Sequence, residues 1–95
     1  MSKVLSPGEA MRIGDLLNSI ATKAKITWVR EDGQICKGEL RCLIQSKDSF
    51  AQLPWGTDVR DAWVWITSGD FEYTESVERL VKLMDEGGFV TDNPR

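Results

Sequence analysis

Carboxylates and tryptophans are the side chains through which this chain could act. Asp58 and Asp61 stand three residues apart, and Asp70 and Glu72 two apart, spacings that can bring two carboxylates together for acid–base work. Acids are frequent in the chain, however, so such pairs arise by chance, and no recognisable catalytic motif accompanies either one. With no histidine anywhere, His general bases, Ser-His and Cys-His nucleophile systems and His-containing zinc sites are all excluded. No loop has the ligand spacing of a calcium or magnesium site, and no glycine-rich phosphate loop is present. The chain is therefore expected not to be an enzyme and to carry no cofactor or metal.

The aromatic residues suggest binding instead. Trp63 and Trp65 alternate with Val64 and Ile66 in the run Ala62 to Thr67, so the tryptophans share one face of a strand and the aliphatics the other. Either the helices cover both faces, or the tryptophan pair is a partner hot spot or a base-stacking platform. Trp55, held between Pro54 and Gly56, is a loop residue suited to a protein interface. The candidate partner-binding residues are thus Trp55, Asp58, Asp61, Trp63, Trp65, Asp70 and Glu72.

The elements that must position them are legible in the periodicity. Ser6-Pro7-Gly8-Glu9 has the form of a capping box, and apolar residues follow at Ala10, Ile13, Leu17, Ile20 and Ala21, which predicts a helix over 7–22. From Lys25 the period becomes two. Ile26 and Trp28 point one way and Thr27 and Val29 the other, up to an Asp32-Gly33 turn of type I′. On the return strand Cys36, Leu40, Cys42 and Ile44 are expected to face inward, with Gly38 marking a bend or a close backbone approach. Six residues apart on one strand, the two cysteines would be roughly 20 Å from each other, too far for a disulfide, and both should be buried free thiols. A short strand through Phe50 and Leu53, a loop over 53–58, the tryptophan strand and Phe71-Glu72-Tyr73 complete the sheet. Thr74 is expected to cap a second helix with Val77, Leu80, Val81 and Met84 on its apolar face, stopped by Gly87-Gly88. Phe89 and Val90 would fold back on that helix.

The fold class is accordingly α+β: an N-terminal helix, about five short antiparallel strands forming a bent sheet or small barrel, and a C-terminal helix. Residues 1–90 read as one domain and 91–95 as a loose tail. Within that order, Asp32-Gly33 followed by Gly38 and Leu40 resembles the first signature of the Sm-like family, and Ser68-Gly69 sits where that family's second signature falls. The resemblance implies an opening helix, a five-stranded barrel and assembly into a ring. It does not carry over RNA binding. Where the family's uridine pocket has Asp and Asn this chain has Ile44 and Asp48, and where the second signature has Arg it has Ser68, changes that weaken contact with a polyanion.

Length and composition bound the rest. At 95 residues, with 41% hydrophobic and 28% charged, the chain can build one modest core and is neither disordered nor rich enough in apolar runs to span a bilayer. Its net charge of −3 is uneven: residues 1–57 balance at +2 and residues 58–86 at −5. An acidic half suits a partner with a basic surface and disfavours general nucleic-acid binding. Free cysteines and an N-terminus interrupted by Glu9, Arg12 and Asp15 fit a cytoplasmic protein. The functional expectation is a small protein-binding module with no membrane contact, an inhibitor or adaptor of the kind that phages and mobile elements encode, with homo-oligomers possible. The alternative is a small barrel binding nucleic acid or nucleotide through aromatic stacking with Lys37, Arg41 and Lys47.

Overall fold

The structure, a computed structural model, describes residues 7–49, 53 and 58–92. Helix α1 (Pro7–Ala21) buries Ile13, Leu16 and Ile20 and runs without a break through Gly14, which faces open space. Strands β1 (Lys25–Val29) and β2 (Ile35–Ile44) form the expected hairpin. A turn of 3-10 helix at Val59–Asp61 leads into β3 (Trp63–Ser68), then β4 (Phe71–Ser76), helix α2 (Val77–Glu86) and β5 (Phe89–Asp92). The sheet is antiparallel, in the order β4-β3-β2-β1-β5, and does not close: β4 and β5 are its two edges.

Both helices pack on one face of the sheet. Leu16 and Ile20 of α1 and Val77, Leu80 and Leu83 of α2 meet Ile26, Trp28, Leu40, Val64, Ile66 and Phe89 in a single core. The sheet is curled around that core. Three strand spacings separate β1 from β4, about 14 Å in a flat sheet. Yet the rings of Trp28 and Tyr73 lie edge to face at 5.6 Å, and Trp28 Nε1 donates to Glu75 Oε2 at 3.0 Å. Arg79 of α2 completes the closure, donating to Glu75 Oε1 at 3.3 Å and to the Val29 carbonyl at 3.0 Å. Gly38 makes room for the curl, because a Cβ there would stand 2.8 Å from the Thr67 carbonyl and 3.1 Å from the Trp28 ring.

Several elements differ from expectation for identifiable reasons. The hairpin turn is not type I′, which needs positive φ at two residues; only Gly33 is left-handed, at φ 85°. Gly33 N–H donates to the Arg30 carbonyl and Arg30 N–H to the Gln34 carbonyl, so Glu31, Asp32 and Gly33 form a three-residue loop with glycine in the left-handed position. The fifth strand is β5, which follows α2. Strand pairing takes Val90 opposite Thr27 and Asp92 opposite Lys25, so Phe89 and Val90 extend along β1, and Thr91 and Asp92 are ordered strand instead of loose tail. The expected strand through Phe50, the expected Ser6 cap and most of the 53–58 loop lie outside the described residues. The second helix starts later than expected. β4 stays in register with β3 as far as Ser76, which is the N-cap and accepts from Arg79 N–H at 3.1 Å, so Thr74 and Glu75 belong to the strand. Gly87, left-handed at φ 83°, ends α2, and Gly88 N–H returns to the Leu83 carbonyl at 2.8 Å in the Schellman pattern.

Two changes test this account. Gly33→Val should destabilise the fold by about 1–2 kcal/mol, since a β-branched residue resists the left-handed region, and urea denaturation will read it. Glu75→Ala strands a buried indole N–H and loosens Arg79, so its cost should be on the order of 3 kcal/mol, with Glu75→Gln costing less. Equal costs for the two replacements would mean that the carboxylate does not organise the closure.

Candidate functional site

The surface opposite the helices is built by a single irregularity in β2. Leu40 pairs with Ile66 and Cys42 with Trp65, so one extra residue, Arg41, is inserted between them. A bulge of this kind reverses the side-chain parity beyond it. Cys36, Gly38 and Leu40 therefore share the core face with Ile26 and Trp28, whereas Cys42 and Ile44 turn to the outer face and Leu43 takes the inward place. This overturns the expectation that Cys36, Leu40, Cys42 and Ile44 all point inward. Cys42 is exposed, Cys36 is half-buried, and neither is in a disulfide. The run Cys42-Leu43-Ile44, where the apolar and polar alternation stops, is the sequence signal that marks the change.

On this outer face Trp63 and Trp65 lie between β2 and β4. Trp63 pairs with Ile44 on one side and Ser76 on the other; Trp65 pairs with Cys42 and Thr74. Both tryptophans are half-buried, while Ile44 is fully buried. The helix-side core does not include Ile44, yet Ile44 is fully buried and the Trp65 indole nitrogen is inaccessible, so this outer face is only partly open. Glu72, exposed on the same face of β4, is one diagonal step from Trp65, about 7–8 Å away at this pairing geometry.

The remaining acids are not gathered with them. Asp58 accepts from Arg60 N–H at 3.0 Å and holds the Arg60 guanidinium at 2.7 Å, an interaction that raises the arginine's pKa further. Asp61 precedes β3 and Asp70 follows it, so a six-residue strand, roughly 20 Å, separates the two. Glu75 is buried against Trp28 and Arg79, and Asp85 is bound to Arg12 at 2.7 Å. The negative balance of residues 58–86 is thus dispersed over several surfaces. Trp55 lies outside the described residues.

The basic residues divide in the same way. Lys37 and Arg41 line a groove on the outer side of the β1–β2 hairpin together with Glu39 and Asp92. Arg41 is held there by Glu39 at 3.3 Å and by Thr67 Oγ1 at 2.8 Å. Lys47 lines a different cleft of about 340 Å³, with Arg30 and Asp32 at the hairpin tip and Trp63, Tyr73 and Thr74. The Arg30 guanidinium stacks on Tyr73 at 4.8 Å, a contact that only the curl of the sheet creates. Nothing in the local sequence signals that cleft, because its walls come from residues about 40 positions apart. Among the described residues no group of three or more metal-ligating side chains converges, and no helix is long and apolar enough to cross a membrane.

Compared with known protein families, curated proteins and solved structures, the chain finds no match in any of the three. The residues that carry the Sm-like resemblance have local explanations here: Gly33 takes the left-handed turn position and Gly38 clears the Trp28 ring.

The parity reversal has a direct chemical readout. Brief alkylation of the native protein should modify Cys42 and leave Cys36 largely untouched, as peptide mass mapping will show. Modification of Cys36 at the same rate would contradict the placement of the bulge.

Proposed function

We propose that this chain is a small non-catalytic protein-binding module whose contact surface is the outer face of β3 and β4. The observation that carries this reading is the pair Trp63 and Trp65, partly exposed on the face away from both helices with Glu72 beside them. Tryptophan is among the residues most enriched at the centres of protein interfaces, and a rigid strand presents it with little ordering cost. Asp61 and Asp70, at the two ends of β3, flank the tryptophans and suit a partner with basic groups at its rim, where charges act mainly on the rate of association. The nucleic-acid alternative has less support, since Arg41 is neutralised by Glu39, and Lys47 lies in a separate cleft from Lys37.

Affinity capture from the source cell with wild type and with Trp65→Ala compares the two. The variant should stay folded in a thermal melt and lose at least about 2 kcal/mol of affinity for the captured protein. A folded Trp65→Ala that binds as well as wild type would place the interface elsewhere. A captured ligand that is nucleic acid, released steeply with salt, would favour the alternative.

A further inference from the structure

The edge formed by β4 lacks several of the features that ordinarily keep a sheet edge from pairing. Natural edges are shortened, kinked by a bulge, covered, or defended by proline, lysine or an inward-pointing charge; of these β4 has the last, Glu75, whose charge is already taken up by Trp28 and Arg79. β4 runs six residues, Phe71–Ser76, and pairs with β3 at every one of them without a break in register. Its sequence, Phe-Glu-Tyr-Thr-Glu-Ser, contains neither proline nor lysine. Among the described residues no strand pairs with its other side. In a strand with one neighbour, alternate residues direct their N–H and C=O groups outward, so this edge offers a row of backbone donors and acceptors.

Three features show what would fit it. The first is space: the 340 Å³ cleft opens at the middle of the strand, with Tyr73 and Thr74 on one side and Arg30 and Asp32 of the hairpin tip on the other. The second is apolar surface, since Phe71 is 68% exposed at the start of the strand. The third is charge. Asp70, Glu72, Glu31 and Asp32 are all exposed around this edge, Glu31 lying 3.9 Å from Arg79. Of the two cations lining the cleft, Arg30 lies 3.7 Å from Asp32 and is stacked on Tyr73; with Arg79 shared between Glu31 and Glu75, Lys47 is the counterweight to Asp70 and Glu72.

We propose that the free edge of β4 receives an extended, lysine- or arginine-bearing segment of a partner protein as a sixth strand. Backbone pairing supplies affinity, and the acids of β4 and the hairpin tip select basic side chains. The proposal rests on the protein-binding reading above and specifies the mode of contact and the chemistry of the partner.

A library of random ten-residue peptides displayed on phage, selected against the full-length protein, tests it. Selected peptides should alternate Lys or Arg with β-branched or aromatic residues. One of them, made synthetically, should slow hydrogen exchange at alternate amides of residues 71–76. N-methylation of the peptide at alternate positions should weaken binding at least tenfold in one phase of the alternation and little in the other, because only one edge of the peptide pairs. Glu72→Lys, an exposed change that leaves the fold alone, should also weaken binding at least tenfold. Peptides that bind equally well when N-methylated in either phase would overturn the proposal. So would protection confined to the Trp63 and Trp65 face, which would leave the protein-binding reading standing. Self-association of the free protein with protection at 71–76 would show that a second copy occupies the edge, and would overturn it too. A selection that enriches no peptide at all would count against both the edge and the broader reading.

Discussion

The contact of Trp28 with Glu75 and Tyr73 is the constraint on which this fold depends. It joins the second strand from one edge to the strand at the other edge, and it can form only if the sheet curls through the three strand spacings between them. Burying the Trp28 side chain removes some 150–250 Å² from water, worth on the order of 4 kcal/mol before ordering costs. That burial brings a carboxylate with it. Glu75 is only 7% exposed, and a charge so placed is tolerable only because the indole N–H and the Arg79 guanidinium both donate to it. Arg79 in turn caps the Val29 carbonyl, so the start of α2 is fixed to the end of β1. A small chain without disulfides thus closes one end of its sheet with a polar network embedded in apolar packing.

Curl and bulge together determine what each face presents. Curling makes the helix side concave and fills it, which uses Val64, Ile66, Leu40 and both helices. The bulge at Arg41 then supplies the opposite side with Ile44 and Cys42, so the tryptophans of β3 have apolar neighbours on β2 instead of charged ones. Without the extra residue, Arg41 and Leu43 would sit opposite Trp65 and Trp63. One inserted residue thereby converts an ordinary polar outer surface into an apolar strip bordered by Glu72.

Electrostatics in this molecule is local. The charge asymmetry between the two halves of the chain does not become an asymmetry between two surfaces, because the acids of 58–86 are dispersed and partly neutralised, Asp85 by Arg12 across the fold and Glu75 by Arg79 one helical turn away. Long-range steering by a single acidic face is therefore a weaker basis for recognition than the immediate surroundings of β4, where a strand edge with no partner among the described residues, an exposed Phe71 and several carboxylates coincide. The protein-binding reading accordingly draws on geometry at a strand and not on net charge.

The sequence by itself determined the elements whose physics is short-ranged. Helical spacing over 7–22, alternation around Asp32-Gly33, and the Gly87-Gly88 stop each depend on residues within one or two turns of one another, and each element stands where periodicity places it, the first helix ending one residue earlier at Ala21. Gly38 was legible as a bend for the same reason, although the ring it clears was not. Tertiary structure alone decided the rest. Thr74 and Ser76 are comparable caps in isolation, and the register with β3, six residues long, is what selects Ser76. Phe89 to Asp92 is too short to be recognised as a strand and becomes one because β1 offers an open edge. The facing of Cys42 and Ile44 depends on a bulge whose cost is recovered only in the packed sheet. The cleft beside β4 depends on the curl, which requires Trp28 and Glu75, 47 residues apart, to be in the same place. Such pairings carry no local signature, since their free energy exists only once the chain has folded.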